Sequence, residues 1–409
     1  MARRGPGRRR SAREWAVRLG LGAIAAAIGW TAVTHSLATA LRTRAPEQAH
    51  ALAPNNAQIA ATLAAKWVLD QSNPARQAEV TRLARQALQR DPTAVQAVTT
   101  LGLQADLRGD KDSARSLFAY SQMLSRRDLT TQIWAIEDAV ERGDIAGALR
   151  HYDIALRTNR TAPDLLYPVL AEAIGDAAIR AELVGTLATK PEWGTSFVDY
   201  VAAGGPDPQA TASLFRSLGR NGVPVSASGR TALIGALIAK GEHEDAWAFY
   251  ASVHPGVDRR RSRDPRFTGD AEAPSAFDWV AVNDAGISTT IQRGEQGGIV
   301  DFAAPSTIGG PLVRQAQLLP PGRYVLTGRS AGIDQPESSL PYWVLTCLDG
   351  RELGRVVLPS SGEGQARFAG LFTVPAACPA QYLTLVARPS DSVSGASGQI
   401  EEAVLRPAQ

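Results

Sequence analysis

One pattern of residues occurs twice in this 409-residue chain at a spacing of 34 residues. An Arg-Gly-Asp triplet occupies residues 108–110 and returns at residues 142–144. In both copies an alanine and then an aromatic residue follow: Ala114 and Phe118, then Ala148 and Tyr152. A self-similarity of this length in helix-forming sequence is typical of stacked helical hairpins. The repeat therefore predicts an α-solenoid, and it constrains the fold more than any other feature of the chain.

The glycine of each triplet falls where the first helix of a pair must end. The residue after a helix terminus often takes a left-handed backbone conformation, which glycine reaches at the lowest cost. The small residue Gly102 lets neighbouring helices approach each other, and Phe118 and Tyr152 supply large side chains for the space between them. We therefore predict a tight turn at Gly109 and at Gly143.

These residues resemble the tetratricopeptide repeat family. Gly102 corresponds to the small residue of the first helix, Ala114 and Ala148 to the alanine that opens the second helix, and Phe118 and Tyr152 to its aromatic residue. The resemblance implies helical hairpins over residues 57–255, with degenerate copies between residues 160 and 240. An irregular α-solenoid outside this family is the alternative.

An array of this kind ordinarily binds protein partners through its concave face. Polar residues on the predicted first helices are the candidate contacts: Gln104, Gln132, Glu137 and Asp138. The sequence alone leaves open which face of the helix each of them occupies. The prediction is that these four residues line a protein-binding groove.

The N-terminal region consists of a basic arm followed by an apolar stretch. Residues 1–18 contain seven arginines, and residues 19–41 carry no formal charge. A helix of 23 residues at about 1.5 Å per residue spans about 34 Å, which is sufficient for a hydrocarbon core of about 30 Å. The arginine excess before the stretch predicts a cytoplasmic arm, a transmembrane helix and an exported remainder.

Two interpretations of residues 19–41 stay open. Residues 38–40 read Ala-Thr-Ala, a cleavage pattern typical of signal peptides, although the apolar stretch is longer than the usual signal core of about 7–15 residues. We predict a retained single-pass anchor in a bacterial inner membrane, with the bulk of the chain in the periplasm. Both interpretations place the residues beyond Arg44 outside the cytoplasm.

From residue 276 onward the helical period gives way to short alternating segments separated by turn residues. About nine strands at a spacing of about 8–12 residues predict an antiparallel β-sandwich over residues 276–409. The layout is similar to galactose-binding-like jelly-roll domains, which include carbohydrate-binding modules, and this similarity implies a glycan ligand. Residues 42–56 are predicted to form a juxtamembrane linker. The charged residues 256–275 are predicted to form a solvated linker or, alternatively, to contact an acidic surface or an anionic glycan.

The sandwich carries three candidate ligand-binding residues. Tyr342 and Trp343 are adjacent in a predicted strand, so one of them must point outward if the other lies in the core. We predict that Tyr342 stacks on a sugar ring, while Arg329 and Asp334, near the loop after the preceding strand, bind its hydroxyl groups.

The chain has two cysteines, Cys347 and Cys378, and both lie in the predicted sandwich. An even number of cysteines in an exported β domain predicts one disulfide. Two free buried thiols are the alternative.

The sequence offers little that points to catalysis. The five histidines form no metal-binding pair, and no nucleophile elbow or phosphate-binding loop occurs. Glu401 and Glu402 are adjacent in a predicted strand, which places them on opposite faces. The net charge of +3 gives no support to nucleic-acid binding. We predict that the protein is not an enzyme and binds no metal or other cofactor.

Together these patterns predict a multi-domain α + β protein: a transmembrane helix, an α-solenoid and a C-terminal antiparallel β-sandwich. We expect a periplasmic scaffold that recruits protein partners through its helices. Its sandwich is expected to bind glycan or another envelope component, in the assembly or export of a surface polysaccharide. The alternatives are a purely structural assembly subunit that binds no sugar and, third, an enzyme acting on polysaccharide.

Overall fold

The computed structural model describes residues 12–69, 74–269, 272–293, 297–390 and 392–408. The chain forms two compact units, Met1–Pro163 and Asp164–Gln409. Most of the predicted basic arm, residues 1–11, lies outside the described residues. The remaining residues of the arm belong to the first helix, which begins at Ala12.

The first unit consists of helices. Their bounds are α1 Ala12–Leu41, α2 Pro46–Leu52, α3 Ala57–Trp67, α4 Pro74–Arg90, α5 Val95–Leu107, α6 Lys111–Leu124, α7 Leu129–Glu141 and α8 Ile145–Thr158. Helix α1 is long and apolar enough to cross a membrane, with a mean hydropathy of 1.6 over its most apolar window. The predicted juxtamembrane linker is in part helical, because α2 lies within it.

The paired helices α5–α6 and α7–α8 explain the Arg-Gly-Asp repeat. Gly109 and Gly143 have φ values of +77° and +71°, as predicted for left-handed turn residues. The aspartate of each triplet then caps the next helix: the Asp110 carboxylate accepts a hydrogen bond from the Ser113 amide at 3.2 Å, and Asp144 caps α8 in the same way. The repeat therefore encodes one helix end and the next helix start.

Close packing between these hairpins depends on one small and two large residues. A methyl group on Gly102 would meet the Phe118 ring at 2.9 Å, so only glycine fits there without a shift of the ring. On the other side, the Phe118 ring stacks on Trp134 with 4.2 Å between ring centroids. Phe118 thus fills the space between helices, as the sequence indicates.

The second unit combines six further helices with the sandwich. The helices are α9 Ala162–Ala173, which begins at the boundary between the units, α10 Ala177–Ala188, α11 Gly194–Gly204, α12 Pro208–Arg220, α13 Ala227–Ala239 and α14 His243–Val253. Helices α13 and α14 are joined by a turn in which Gly241 has a φ of +79°.

The sandwich consists of two antiparallel sheets of five strands each. Sheet A has the order β1-β4-β9-β6-β7, and sheet B has the order β2-β3-β10-β5-β8. The strands are β1 Val280–Ala281, β2 Ser288–Gln292, β3 Ile299–Ala304, β4 Gly310–Gln317, β5 Gly322–Ala331, β6 Tyr342–Cys347, β7 Glu352–Val357, β8 Gln365–Val374, β9 Gln381–Ala387 and β10 Ala396–Pro407. The predicted α + β fold class is confirmed.

The prediction of a solvated linker at residues 256–275 is wrong for its central part. The Ser262 amide donates a hydrogen bond to the Leu405 carbonyl at 3.0 Å, and the Ala403 amide donates to the Pro265 carbonyl at 2.9 Å. This segment thus occupies the part of β10 that β3 leaves unpaired. Phe267 is fully buried in the sandwich core. Residues 262–267 therefore belong to the sandwich, whatever their charge suggests.

A buried arginine in this segment joins the sandwich to the last helix. Arg263 is 6% exposed, and its guanidinium donates to the Phe277 carbonyl at 2.9 Å, to Gln317 Oε1 at 2.8 Å and to the Ala316 carbonyl. The Trp247 ring of α14 lies 5.4 Å from its Cζ atom. Burial lowers the pKa of Arg263 to about 10. Helix α14 and the sandwich consequently form part of one unit, and the predicted division at residues 256–275 does not separate them.

Candidate functional site

The first candidate site is the outer face of sheet A. Trp343 is fully buried in the core and pairs in register with Leu385, so the neighbouring Tyr342 points away from the core. Sequence analysis predicted this division between Tyr342 and Trp343. Pairing places alternate residues of β6 and β9 on the outer face of sheet A, together with the residues of β4 and β7 that pair with them across one register irregularity in each.

Register arranges this face in three rows across the sheet. The first row is Pro311, Val386, Tyr342 and Val357. The second row is Arg314, Thr384, Val344 and Arg355, and the third row is Ala316, Tyr382, Thr346 and Glu352. The small residues Thr384 and Val344 thus lie in the centre, with a tyrosine in the row on either side.

Guanidinium groups lie over both tyrosine rings. The Cζ atom of Arg355 is 4.0 Å from the ring centroid of Tyr342, and that of Arg388 is 4.9 Å from the same centroid. The Cζ atom of Arg314 is 5.6 Å from the ring centroid of Tyr382. Each contact is a cation–π interaction, worth about 0.5–1 kcal/mol at an exposed position. We call this surface, defined by Tyr342, Tyr382, Arg314, Arg355 and Arg388, the Arg–Tyr face.

One carboxylate partly neutralises the Arg–Tyr face. Arg355 forms an ion pair with Glu352 at 2.9 Å, and this hydrogen-bonded carboxylate raises the pKa of the Arg355 guanidinium. Arg388 donates to the Ser338 carbonyl at 3.3 Å. Within the described part of the chain, Arg314 and Arg388 have no carboxylate partner. The face therefore carries excess positive charge.

The three predicted ligand-binding residues do not converge on one site. Tyr342 lies on the outer face of sheet A, whereas Arg329 lies on the outer face of sheet B, because the sandwich core separates the two strands. Asp334 is exposed in the loop after β5, near Gly362 of the loop between β7 and β8. A ligand that stacked on Tyr342 could not reach Arg329. The prediction of a shared site is therefore wrong.

A second candidate lies around Arg329 on sheet B. Its Nε atom is 3.4 Å from a Glu402 carboxylate oxygen and 4.0 Å from a Glu401 carboxylate oxygen. The two glutamates were predicted to face opposite ways, but a register irregularity between Ile400 and Glu402 brings both to Arg329. A shallow depression of about 670 Å³ adjoins these residues. Three arginines, Arg266, Arg329 and Arg367, line it together with Glu402. The aromatic side chain in its lining, Phe368, is buried, so it offers no exposed ring on which a sugar could stack.

A larger cavity of about 1030 Å³ lies in the second unit, beside α13, α14 and the edge strands β1 and β2. Its polar groups are largely used internally: the Tyr250 hydroxyl donates to Asp278 Oδ1 at 2.7 Å, and burial raises the pKa of Tyr250. The Thr289 hydroxyl is buried without a partner in the described residues. Gly269, Glu272 and Arg293 line the cavity next to residues that the structure does not describe. We therefore do not assign a ligand to it.

Two of the predicted groove residues, Gln104 and Gln132, are buried in the helical array. The Gln104 side chain accepts a hydrogen bond from the Thr81 hydroxyl at 2.6 Å and donates to the Gln77 carbonyl at 3.0 Å. Gln132 is fully buried, and its amide donates to the Arg126 carbonyl at 3.2 Å. Both amides hold helices together, so neither is placed to contact a protein partner as predicted.

The other two groove residues differ from each other. Asp138 is 7% exposed and pairs with Arg115 at 2.9 Å and with Arg142 at 3.0 Å, which again is an internal role and corrects the prediction. Glu137 is exposed. Neighbouring groups remove part of the water around its carboxylate, and this loss of solvation, together with the charge of Asp106, raises the pKa of Glu137. Of the four predicted residues, only Glu137 is open to a partner.

Cys347 and Cys378 are joined by a disulfide with an S–S distance of 2.07 Å. The bond links the end of β6 to the turn before β9, and both cysteines are buried. Among the described residues, no group of three or more His, Cys, Asp or Glu side chains is placed to hold a metal ion.

No protein-family model matches the chain, and no curated protein matches its sequence. Among solved structures, a carbohydrate-binding module described as CBM4 is 14% identical over 36% of this chain and 99% of its own length, with a TM-score of 0.27. The CBM22-1 xylan-binding domain of Xyn10C from Paenibacillus barcinonensis is 10% identical over 32% of this chain and 86% of its own, with a TM-score of 0.24. An arabinose-bound α-L-arabinofuranosidase is 12% identical over 36% of this chain, with a TM-score of 0.29, and the match spans only 26% of that enzyme. Likenesses this distant do not assign the chain to a family.

Proposed function

We propose that this protein is a membrane-anchored scaffold whose sandwich binds a glycan across the Arg–Tyr face. The observation that carries the proposal is the position of Tyr342 and Tyr382 on the outer face of sheet A, on either side of the smaller residues Val344 and Thr384. The two tyrosines lie on neighbouring strands, offset by four residues, which separates them by about 14 Å at 3.3–3.4 Å per residue. That distance suits an extended chain of sugars better than a single monosaccharide.

The chemistry of the face fits a sugar chain. Aromatic rings present flat apolar surfaces that pack against the C–H groups of a pyranose ring. The hydroxyl groups of Thr346 and Thr384 and the fixed forks of the guanidinium groups bond to sugar hydroxyls.

The location that we propose is the periplasmic side of a bacterial inner membrane. Helix α1 can span the bilayer, and the arginine excess before it favours a cytoplasmic N-terminus. The disulfide is compatible with an oxidising compartment. Ala38 at the end of α1 is fully buried with Ala49 of α2 and Ile59 of α3. This packing supports a retained anchor, because cleavage after Ala40 would remove part of the core of the first unit.

The helices are proposed to recruit protein partners, as a tetratricopeptide-like array would, in the assembly or export of a surface polysaccharide. We propose binding without catalysis. The decisive assay incubates the purified full chain with each polysaccharide that it retains and follows the size of the polymer. Shortening of any retained polymer that is absent from a matched control preparation would make the protein an enzyme and reject this part of the proposal.

Glycan binding itself is tested with Tyr342→Ala and Tyr382→Ala in the full chain, held in detergent and titrated on an array of envelope polysaccharides. Each variant loses a stacking surface, so we expect the dissociation constant to rise about tenfold, in line with about 1–1.5 kcal/mol for one aromatic contact. Leu371→Ala is the matched control, because Leu371 is 52% exposed on the outer face of sheet B. Affinity that is equal in all three variants would remove the Arg–Tyr face from the binding site.

The alternative is a structural subunit whose sandwich packs against another protein and binds no sugar. It predicts that the unmodified full chain is retained by no polysaccharide on the array. In that case the Arg–Tyr face would be expected to appear instead in cross-links to a protein partner recovered from membranes.

A further inference from the structure

The proposed glycan site has an excess of positive charge. Three guanidinium groups, those of Arg314, Arg355 and Arg388, lie over its tyrosine rings, and Glu352 balances only that of Arg355. Arg314 and Arg355 are both exposed. Cations that point into solvent from a binding face attract anionic ligands and repel cationic ones.

The same guanidinium groups also cover the surfaces on which a sugar would stack. A neutral sugar that packed on Tyr342 must displace Arg355 or Arg388 from the ring face that each covers, and it can offer only hydroxyl groups in return. An anionic group instead forms two parallel, charge-assisted hydrogen bonds to a guanidinium. Such a group draws the arginine away from the ring and exposes the aromatic surface in the same step.

We infer that the ligand of the Arg–Tyr face is an acidic glycan, whose anionic groups bind Arg314 and compete with Glu352 for Arg355 while its sugar rings stack on Tyr342 and Tyr382. This inference rests on the proposed glycan site and specifies its ligand class. Carboxylate, sulfate and phosphate substituents share the paired oxygens that a guanidinium fork recognises.

The register of the strands determines the distance between the two arginines that bind such a ligand. Arg314 on β4 and Arg355 on β7 belong to the same row, with β9 and β6 between them. Three strand spacings of about 4.8 Å separate them by about 14 Å. The two guanidinium groups also lie over different tyrosines, Tyr382 and Tyr342, so in the observed side-chain positions one anionic group does not bridge them. This separation favours a ligand with anionic groups on different sugar units, such as a polymer with a repeated acidic sugar.

The test compares polymers that differ only in charge. The full chain is titrated with polygalacturonate, with the same polymer after methyl esterification, with dextran sulfate and with neutral dextran. We expect polygalacturonate to bind at least about tenfold more tightly than its ester, because each charge-assisted hydrogen bond is worth about tenfold or more in affinity. The advantage should shrink as ionic strength rises from about 0.05 M to about 0.5 M, because both arginines are exposed to the solvent.

The variants separate charge from stacking. Arg314→Gln and Arg355→Gln should each weaken binding of the acidic polymer about tenfold. In Arg355→Gln/Arg388→Gln, which frees the Tyr342 ring, any binding of the neutral polymer should become about twofold to fivefold tighter. Arg323→Gln is the control, since Arg323 is an exposed arginine of β5 in sheet B. Melting curves confirm that each variant is folded before titration.

The possible outcomes distinguish the inference from the proposed function. Equal binding of the acidic polymer and its ester would overturn the inference and leave the glycan site in place. If the affinity for the acidic polymer falls equally in Arg314→Gln and Arg323→Gln, the effect of charge belongs to another surface, and the inference is also overturned. Preference for dextran sulfate over polygalacturonate retains the acidic class and identifies the anion. Retention of none of these polymers, nor of any envelope polysaccharide, would reject the proposed function itself.

Discussion

At the residue scale, Arg263 shows how a charged side chain becomes part of a core. Its guanidinium is buried among carbonyl and amide oxygens and two aromatic rings, and these neutral oxygens accept its hydrogen bonds. A buried cation is tolerated there because each of its three nitrogen atoms donates to at least one acceptor. Arg263 is therefore a bridge between the last helix and the sandwich, and the solvent contact expected of a charged linker residue does not occur.

We expect Arg263→Met to lower the free energy of unfolding of the full chain by about 2–4 kcal/mol, because buried acceptors at Phe277, Ala316 and Gln317 lose their donor. Thermal unfolding followed by circular dichroism provides the measurement. Arg261→Met is the control, because Arg261 is exposed two residues away, and its effect should stay within about 0.5 kcal/mol. Equal melting temperatures for the two variants would contradict a bridging role.

Alkaline pH should weaken the contact between α14 and the sandwich through Tyr250. Burial, with help from Asp278, raises the pKa of this tyrosine above its ordinary value near 10. A raised pKa means that the folded state holds the proton more tightly, so the stabilisation is complete below pH 10 and is lost as pH rises through the folded pKa. Melting temperatures measured from about pH 8 to about pH 11 should fall less steeply in Tyr250→Phe. If the melting temperature falls with pH equally steeply in the unmodified protein and in Tyr250→Phe, Tyr250 does not cause the loss of stability at alkaline pH.

At the scale of single elements, turns and register decide which side chains face outward. The Arg–Tyr face exists because β4, β6, β7 and β9 are paired in register across sheet A, although an extra residue in β4 and another in β7 break the strict alternation of those two strands. In sheet B an irregularity in β10 brings Glu401 and Glu402 to the same side as Arg329. Strict alternation, assumed from the sequence, fails wherever a strand contains an extra residue.

The hairpin of α13 and α14 allows two glycines to be compared. Gly241 has a φ of +79°, so Gly241→Ala should destabilise the protein by about 1–2 kcal/mol. Gly235 lies within α13, where an added methyl group meets nothing within 4 Å, so Gly235→Ala should stabilise it by about 0.5–1 kcal/mol. Urea unfolding of both variants measures the change in the free energy of unfolding that each substitution causes. A change of the same sign in both variants would contradict the role given to Gly241 in the turn.

At the scale of the whole molecule, the compact units do not coincide with the predicted domains. The predicted boundary ran between a helical array at 57–255 and a sandwich at 276–409, whereas the compact units meet between Pro163 and Asp164. Helix α14 shares ring contacts, a hydrogen bond and an ion pair with the residues just before the first strand of the sandwich, and Thr231 of α13 donates a hydrogen bond to the Ala273 carbonyl. The sandwich is therefore built on the end of the helical region.

A truncation series tests this organisation. We expect residues 164–409 to unfold in one cooperative transition. Residues 276–409 should be unstable, because they lack the segment at 262–267, which pairs with β10 and contributes Phe267 to the core. Denaturant unfolding and amide hydrogen exchange provide the comparison. A cooperative fold for residues 276–409 would show that the added segment is dispensable.

Topology is tested at the same scale. A reporter that is active only outside the cytoplasm, fused after the C-terminal residue, should be active in the membrane fraction. Moving arginines from the arm to the region after Leu41 should reduce this activity, because the arginine distribution sets the orientation of the anchor. Activity of a reporter that works only in the cytoplasm would contradict the proposed location.

Features that depend on residues close together in the chain could be predicted before the structure was known. The repeat predicted the turns at Gly109 and Gly143, the apolar stretch predicted a helix able to span a membrane, and alternation predicted the strands and the outward position of Tyr342. Each of these depends on a local period or on one backbone conformation. Local patterns of this kind can be read without knowing which distant residues meet.

Features that depend on contacts between distant residues could not be predicted from the sequence. The Leu405 amide donates a hydrogen bond to the Ser262 hydroxyl, although the two residues are 143 positions apart in the chain. Because residues 259–266 are highly charged, the sequence indicated a linker there, whereas this segment is part of the sandwich. Gln104, Gln132 and Asp138 were predicted as groove residues but are buried, because the helix face they occupy is determined by packing against neighbouring hairpins. The Arg–Tyr face itself arises from four strands brought into register, and no single stretch of sequence contains it.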